Sequence, residues 1–290
     1  MLANEHVYVL RANEKINQKY LFYLLASKKG QEILKANMNG SGIGGINQQN
    51  LKNILVPVPP YHIQENLVQK LIEIQKDKET LENKINLINL KKKDLTNNIF
   101  SSSKYIKLDS VCELITDGTH NTPQYTKSGI PFLSATNVIS KKIDWNNIKY
   151  ISKNLHNQLS KRVSPKLNDI LLAKNGTIGY AAIVDKAIPF DVYVSLAVLR
   201  TNNEILPQYL LEILNSETIR NEFLDKIIGM GVPNLHLNKI KEVQVPLINL
   251  EEQEYFVEKI LALNNEINNY ESKITELNYS VEKNIEKLYN

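Results

Sequence analysis

Apolar residues recur along two stretches of the chain in alternating steps of four and three residues. In the first stretch eight of ten such positions are apolar, and in the second nine of ten. The positions are Leu67, Leu71, Ile74, Lys78, Leu81, Ile85, Ile88, Lys92, Leu95 and Ile99, and then Phe256, Ile260, Leu263, Ile267, Tyr270, Ile274, Leu277, Val281, Asn284 and Leu288. A narrow stripe of this period is what the seam of a coiled coil requires. The pattern therefore predicts two long helices that pair through these stripes.

The first helix is expected to be long because nothing in the sequence interrupts it. The chain has no glycine inside Gly45–Gly118 and no proline inside Pro60–Pro123. A helix can therefore run over about Ile63–Ile99. At about 1.5 Å per residue, such a helix would be roughly 55 Å long.

The alternative is that each stripe packs on its own globular domain, as most amphipathic helices do. The flanking faces favour pairing, because KDKETLENK and KKKDLTNN in the first helix and NNEINNYESK in the second are too polar and too long to wrap around a small domain. Two helices joined by a domain at one end must pack antiparallel. The run Lys91–Lys93 is interpreted as a solvated face.

The chain contains an internal repeat. VLRANEKINQKYL at residues 9–21 aligns without a gap on VLRTNNEILPQYL at residues 198–210, and at the same offset the match extends to Lys70 and Lys259. The period is far longer than the roughly 20 to 50 residues of solenoid repeats. We interpret it as a duplicated unit of domain plus helix. The first copy has no counterpart of the segment 104–195, so we expect one complete copy and one truncated copy.

The segment from residue 104 to about 250 predicts a mixed α/β domain with irregular loops. Its clearest element is a hairpin with strands Ile170–Ala173 and Ile178–Val184 and a turn at Lys174–Thr177, because Asn-Gly between apolar runs is a strong hairpin signal. The other expected elements are a short helix or strand at Val111–Ile115, a loop at Ile115–Pro131, strands at 130–138, 148–152 and Tyr193–Arg200, a helix from Pro207 to about Ile228, a glycine turn at 229–234, and a strand at Leu237–Val245 before a closing Pro246. With the long helices, these elements predict an α+β fold.

Composition limits the class of protein. With 290 residues, 42% of them hydrophobic, the chain is long enough for about two domains. It has no run of about 18 apolar residues and no basic segment followed by a long apolar one at its N-terminus, which argues against membrane insertion or secretion and favours the cytoplasm. The single cysteine, Cys112, excludes an internal disulfide and forms no zinc ligand set with the five scattered histidines. A net charge of +4 allows a basic surface without requiring one.

The sequence offers little support for catalysis. The glycines of NGSGIGGINQQN, residues 39–50, are not followed by Lys-Ser/Thr as in a phosphate-binding loop, and the second copy has a glycine turn at the same point. An Asn-Pro-Pro-Tyr methyltransferase motif is absent. Asp117, Asp169 and Asp185 are scattered rather than clustered with a lysine at nuclease spacing, and Asp169 is interpreted as a turn cap. We therefore expect no cofactor or metal on this chain.

Two loops of the central domain carry short polar side chains suited to reading DNA. Asn matches adenine edges, Lys matches guanine or phosphate, and Thr offers a methyl group to thymine or a hydroxyl to phosphate. The alternative is an ordinary loop whose polar residues serve local turns. The candidate DNA-contacting residues are Thr119, His120, Asn121, Thr122, Lys127, Lys174, Asn175 and Thr177.

The chain contains two copies of a strand ending in Pro before a Gln-Glu that opens a long helix, VPVPPYHIQENLVQKL and VPLINLEEQEYFVEKI, and between them the segments LITDGTHNTPQY and DILLAKNGTIGYAAIV. In these segments it resembles the specificity subunit of a Type I restriction-modification system. This resemblance divides the chain into a distal remnant of a first target-recognition domain (1–60), a first spacer helix (61–103), a complete target-recognition domain (104–249) and a second spacer helix (250–290).

The resemblance implies a non-catalytic subunit in which an antiparallel helix pair holds two recognition domains apart, each reading one half of a split site in double-stranded DNA. Adenine methyltransferase subunits would bind the helices, and a translocase-nuclease subunit would join them for cleavage. S-adenosylmethionine, ATP and Mg would belong to those partners. Because the first recognition domain is partial, the chain is expected to self-associate as a half-type subunit or to be a rearranged gene product. The alternatives are a coiled-coil scaffold that binds only proteins and an undetected nuclease or methyltransferase.

Overall fold

The computed structural model describes residues 7–38, 45–227 and 233–289. The helices there are α1 (Gln18–Ala26), α2 (Lys28–Ala36), α3 (Gln48–Lys52), α4 (Tyr61–Ser102), α5 (Lys153–Leu159), α6 (Pro207–Leu214), α7 (Glu217–Asp225), α8 (Leu237–Lys241) and α9 (Leu250–Glu286). The strands are β1 (Lys104–Lys107), β2 (Cys112–Asp117), β3 (Ile130–Leu133), β4 (Lys149–Ile151), β5 (Ile170–Ala173), β6 (Ala181–Ile183), β7 (Asp191–Val192), β8 (Leu196–Thr201) and β9 (Gln244–Leu247).

The chain divides into two compact units. Unit 1 comprises Met1–Ile88 with Asn264–Asn290, and unit 2 comprises Asn89–Leu263. The two long helices, α4 and α9, each begin in one unit and end in the other. The predicted helix at Ile63–Ile99 is confirmed and extends slightly beyond both ends.

The main sheet of unit 2 is covered on both faces. Its order is β2-β8-β5-β6, with antiparallel neighbours throughout. Ile170 and Leu172 of β5 join one hydrophobic cluster, whereas Leu171 joins another. Successive side chains of a strand point to opposite faces. The uninterrupted apolar run of β5 therefore follows from its position between two cores.

A two-stranded sheet joins the start of the central domain to its end. Strand β1 pairs antiparallel with β9, with Lys104 opposite Leu247 and Lys107 opposite Gln244. Helix α4 ends just before β1, and α9 begins just after β9. This pairing sets the end of α4 beside the start of α9 within unit 2. A third sheet, of order β4-β3-β7, completes the domain.

The four-three stripe is the sheltered face of both long helices. All twenty stripe positions are buried or half-buried, whereas most other positions of α4 and α9 are exposed. In unit 1, Lys70 Nζ donates to Asn284 Oδ1 at 3.0 Å, and Lys84 Nζ lies 5.5 Å from the Tyr270 ring centre. A step forward along α4, from Lys70 to Lys84, is thus matched by an equal step back along α9, from Asn284 to Tyr270. The antiparallel prediction is confirmed in this unit.

The ends of the stripe also pack on globular cores. The alternative interpretation, in which each stripe packs on its own globular domain, is therefore correct for these ends. In unit 1, Leu71 and Ile74 share a cluster with Tyr20 and Leu24. In unit 2, the start of α9 joins the domain core through Phe256 and Ile260, against which Leu95, Ile99 and Phe100 of α4 pack.

The sequence repeat is a structural repeat. Helices α1, α2, α3 and α4 begin at residues 18, 28, 48 and 61, and α6, α7, α8 and α9 begin at residues 207, 217, 237 and 250. Each helix start in the second set is displaced from its counterpart in the first by the same interval that separates Val9 from Val198. The two copies therefore share one arrangement of three short helices followed by a long one.

A buried glutamine makes the same hydrogen bonds in both copies. Gln64 Oε1 accepts the Asn17 N–H at 2.8 Å, and its amide nitrogen donates to the carbonyls of Lys15 and Pro59. Gln253 Oε1 accepts the Leu206 N–H at 2.7 Å, and its amide nitrogen donates to the carbonyls of Glu204 and Ile248. Both side chains are fully buried. Because a buried amide costs free energy unless its partners are present, this glutamine ties each long helix to the domain before it.

Two predicted boundaries are wrong, one in a helix and one in a hairpin strand. The helix expected from Pro207 to about Ile228 is two helices, because Ser216 Oγ accepts the Ile219 N–H and starts α7 anew. The second hairpin strand begins at Ala181 rather than Ile178. Gly176 and Gly179 adopt φ angles of 71° and 85°, so the tip is wider than a four-residue turn.

Other predicted strands are shorter than expected. The segment expected as a strand at Leu237–Val245 is α8 followed by β9, and Pro246 lies inside β9 rather than after the domain. A two-stranded sheet tolerates proline because both of its strands are edge strands.

The strand expected at Tyr193–Arg200 begins only at Leu196, because the Leu196 N–H first closes a turn onto the Tyr193 carbonyl. The segment Val111–Ile115 ends a 3₁₀ turn and begins β2, and the strand expected at 130–138 ends at Leu133. The predicted glycine turns lie largely outside the described residues.

Candidate nucleic-acid interface

The loop after β2 is held against the segment between β7 and β8. The Thr119 N–H donates to the Val192 carbonyl at 3.2 Å, and the Val194 N–H donates to the Thr119 carbonyl at 2.9 Å. A Cβ atom on Gly118 would lie 1.8 Å from the Val192 carbonyl oxygen. Glycine is therefore required here for the two backbones to approach so closely.

The hairpin tip is held by the chain segment before α8. The Gly176 N–H donates to the Pro233 carbonyl at 3.1 Å, and the Leu235 N–H donates to the Lys174 carbonyl at 2.8 Å. The Lys174 N–H donates to the Ser195 carbonyl at 2.9 Å. These bonds fix Lys174 and Asn175 at the end of the main sheet.

Three basic side chains converge on the buried carboxylate of Asp117. Arg162 donates to Asp117 Oδ1 at 2.6 Å, Lys174 Nζ lies 3.4 Å from Oδ2, and His120 Nε2 lies 3.4 Å from Oδ1. Asp117 and Lys174 are buried, whereas the side chains of Arg162 and His120 are 51% and 60% exposed. One carboxylate thus holds an arginine at the surface and a lysine beneath it.

These residues line an open cleft of about 850 Å³. Asp117 is the one carboxylate among the described lining residues. The other polar lining residues are His120, Arg162, Lys174, Asn175, Asn234, His236, Asn238 and Lys239. Asn234 Oδ1 is buried without a hydrogen-bond partner in the described structure. The cleft is therefore polar and carries more positive than negative charge.

A smaller cleft of about 290 Å³ shares His120 and Arg162 with the first. It is also lined by Thr119, Asn121 and Asp191. Asp191 Oδ2 lies 2.7 Å from His156 Nδ1, and burial raises the pKa of the Asp191 carboxyl. The two clefts are thus neighbours that meet at His120 and Arg162.

The structure brings together part of the candidate set. His120, Lys174 and Asn175 line the larger cleft, and Thr119 and Asn121 line the smaller one. Thr122 Oγ1 lies 3.4 Å from the Tyr193 hydroxyl. Lys127 and Thr177 are exposed but line neither cleft. Lys174 is buried against Asp117, so its ammonium is less available to a ligand than a hairpin-tip lysine would be.

Sequence reasoning missed Asp117, Arg162, His236 and Lys239. The sequence shows Asp117 as one of three scattered carboxylates, although its place at the end of a buried strand is a signal. Arg162 follows α5 with no motif around it, and only folding brings it to the cleft. Asp169 does cap a turn, by accepting the Lys166 N–H at 2.7 Å. It also accepts two hydrogen bonds from Arg200, at 2.8 and 2.7 Å.

Two general features of the described ranges bear on function. Within residues 7–38, 45–227 and 233–289, no helix is long and apolar enough to cross a membrane. In the same ranges, no group of three or more His, Cys, Asp or Glu side chains is arranged to hold a metal ion.

Solved structures show the same fold. The HsdS subunit from Thermoanaerobacter tengcongensis aligns with a TM-score of 0.52 and 17% identity over 95% of this chain and 70% of that one. The Type I restriction-modification S subunit from M. genitalium aligns with a TM-score of 0.56 and 18% identity over 94% of this chain and 73% of that one. The predicted α+β fold with long helices is confirmed by these likenesses.

Sequence comparisons identify the family. The Type I restriction enzyme MjaVIII specificity subunit of Methanocaldococcus jannaschii is 24% identical, over 91% of this chain and 68% of that protein. The EcoBI specificity subunit of Escherichia coli is 22% identical, over 97% of this chain and 67% of that protein. The chain thus spans about two thirds of the length of these relatives. The family model of the Type I restriction modification DNA specificity domain matches residues 1–91 and 100–279, and the chain therefore belongs to that family.

Proposed function

We propose that unit 2 reads a short stretch of duplex DNA through the two clefts that share His120 and Arg162, and that the chain directs partner methyltransferase subunits to that target. The observation that supports the proposal most strongly is the convergence of Arg162, Lys174 and His120 on one buried carboxylate at an open surface. Positive charge at such a surface attracts the phosphate backbone, and amide and guanidinium groups can read base edges.

Exposure suggests different roles for the polar residues. Arg162 uses part of its guanidinium on Asp117 and has half of its side chain exposed, so its remaining N–H groups are available to guanine or phosphate. Asn121 is exposed and offers its amide to an adenine edge. Lys174 is buried, and in this proposal it fixes Asp117 and raises the local positive potential.

The remaining parts of the proposal rest on family membership. The chain carries no catalytic activity, and S-adenosylmethionine, ATP and Mg act on the partner subunits in the cytoplasm. The long helices provide the surface to which methyltransferase subunits bind, and a translocase-nuclease subunit joins for restriction. One solved relative is named as the S subunit of a Type I restriction-modification system, and another comes from work on complex assembly of the type I R-M system, which supports assembly of this kind.

The test compares Arg162→Ala with Lys161→Ala in the full chain. Both variants remove one positive charge from neighbouring exposed positions, but only Arg162 lines the clefts. A preferred duplex is first selected from a random library and its affinity measured by fluorescence anisotropy. We expect Arg162→Ala to weaken binding by about 1 to 3 kcal/mol, and Lys161→Ala to have a much smaller effect. Equal affinities for both variants and the wild type, with the fold intact, would place the DNA on another surface.

The same experiment separates DNA recognition from a scaffold that binds only proteins. A recognition subunit binds its selected duplex more tightly than an unrelated one, and this binding weakens as salt rises because bound cations are released from the phosphates. A scaffold selects no sequence from the library at any salt concentration.

A further inference from the structure

One face of the three-stranded sheet β4-β3-β7 carries a row of side chains that ends in an exposed lysine. Lys149 is paired with Phe132, and Phe132 is paired with Asp191. Residues directly opposite each other on neighbouring strands have their side chains on the same face of a sheet. Asp191 lines the smaller cleft, so Lys149 lies on the cleft side of this sheet. Because neighbouring strands are about 4.8 Å apart, the Cα atoms of Lys149 and Asp191 are roughly 10 Å apart.

Aromatic rings connect Lys149 to the loop after β2. Lys149 Nζ lies 4.3 Å from the centre of the Tyr125 ring, and this centre is 6.0 Å from that of the Phe132 ring. The Phe132 ring centre is 6.3 Å from that of Tyr193. The Tyr193 hydroxyl lies 3.4 Å from Thr122 Oγ1 in the loop. The ammonium group thus rests on a ring that packs, through two further rings, against the loop that lines the smaller cleft.

The positive charge of Lys149 has no carboxylate partner among the residues that the structure describes. Its side chain is exposed, and contact with a ring face leaves N–H groups of the ammonium available to an acceptor. Lys127 adds a second exposed positive charge near the same strand, because the N–H of its neighbour Thr126 donates to the Tyr150 carbonyl of β4 at 2.9 Å. This edge of the sheet is therefore positively charged.

We propose that Lys149 binds a phosphate of the DNA backbone and thereby positions the loop after β2 on the bases. The proposal rests on the proposed function of the two clefts. The major groove, where base edges are distinct, is about 12 Å wide, so its bordering phosphates lie about as far from a base-reading loop as Lys149 lies from Asp191. Phosphate contacts fix the register of a protein on the duplex without reading sequence. Because the ammonium is already held over Tyr125, it loses less freedom on binding than an unrestrained lysine.

The test compares Lys149→Gln, Lys149→Arg and Lys104→Gln in the full chain, on the selected duplex and on an unrelated one over a range of salt concentrations. Lys149→Gln should weaken binding to both duplexes by the same factor. It should also reduce the slope of log affinity against log salt by about one, because one phosphate contact is lost. Lys149→Arg should keep the wild-type slope, since arginine also stacks on a ring and binds phosphate. Lys104→Gln is the matched control, because it removes the same charge from an exposed position in the sheet of β1 and β9.

Three results would overturn the proposal. The first is a wild-type salt slope in Lys149→Gln, and the second is a loss of affinity confined to the selected duplex, which would make Lys149 a base-reading residue. The third is an equal fall in slope for Lys104→Gln, which would reflect net charge rather than a local contact. Each of these leaves the proposed function intact if Arg162→Ala still weakens binding to the selected duplex. If the wild-type chain binds no duplex in a salt-dependent manner, both proposals fail.

Discussion

At the scale of single residues, Asp117 determines how the candidate interface is arranged. Its carboxylate is buried at the end of β2 and is shared by one exposed arginine and one buried lysine. Removing one partner of a buried ion pair leaves a charge without compensation, which costs more than the pair contributes. Lys174 therefore stabilises the fold in addition to any effect on ligand binding. Asn121, on the exposed loop, does not have this stabilising role.

This difference predicts distinct phenotypes for Lys174→Ala and Asn121→Ala. Asn121→Ala should weaken binding to the selected duplex by about 1 to 3 kcal/mol if its amide acts at a base edge, and Lys174→Ala should weaken it by lowering the positive potential of the cleft. Only Lys174→Ala should also lower the free energy of unfolding, by about 2 kcal/mol, because it leaves Asp117 with fewer partners. Urea denaturation and anisotropy titrations measure the two effects. If Lys174→Ala weakens binding equally on all duplexes and reduces the salt slope by about one, its ammonium acts on phosphate rather than on a base.

At the scale of elements, the long helices combine a pairing face with ends that belong to globular cores. In both copies the second short helix contacts a long helix, since α2 contacts α9 and α7 contacts α4. The charges of the residues at this contact are exchanged between the copies. In unit 1, Glu282 accepts the Lys28 N–H at 3.0 Å, and in unit 2, at the equivalent positions, Lys93 pairs with Glu217 at 2.6 Å. The position of the contact is thus kept, while its chemistry differs between a main-chain hydrogen bond to a carboxylate and an exposed ion pair, which contributes little stability.

The buried apolar positions of the stripe should not tolerate a carboxylate. Ile88 is 4% exposed and occupies a stripe position, whereas its neighbour Leu87 is 59% exposed. Ile88→Asp should lower the free energy of unfolding by about 3 kcal/mol, because it buries an unpaired carboxylate. Leu87→Asp should change it by less than about 0.5 kcal/mol. Similar melting temperatures for the two variants would show that the stripe is not a packed seam.

The long helices could be predicted from sequence because apolar residues in alternating steps of four and three, sustained over so many turns, fit few structures other than a long paired helix. The break between α6 and α7 was available from the sequence, because Ser216 accepts the N–H three residues further on, which is a local helix-start signal. The wide hairpin tip was not, because it depends on the carbonyl of the distant Pro233 accepting the Gly176 N–H. The candidate site was only half predictable for the same reason. Its loops are recognisable by composition, but Arg162 reaches Asp117 across 45 residues of chain.

At the scale of the whole molecule, the two units are unequal in what they can read. The segment 104–195, which supplies Asp117, Arg162 and Lys174, has one copy in the 290 residues. Both units nevertheless contain a long helix joined to its domain by a buried glutamine. The joint between a domain and a long helix is therefore duplicated, whereas the candidate DNA-reading surface is not.

Methylation maps of cells that express only this chain and its methyltransferase should reflect that inequality. We expect either a motif with a single specified half or, if two copies act together, a symmetric interrupted motif, because identical recognition surfaces related by a twofold axis read identical halves. Sequencing that detects methylated adenine provides the measurement. An asymmetric motif with two unrelated halves would show that unit 1 also reads DNA.

The buried glutamines have a consequence for how such proteins change over generations. Gln64 and Gln253 bond to backbone groups at equivalent positions, and backbone groups are the same whichever side chains surround them. A genetic exchange with its breakpoint inside the repeated sequence would therefore join either preceding domain to either long helix without orphaning a buried amide. An exchanged domain and helix would thus keep all three hydrogen bonds of the glutamine at their joint.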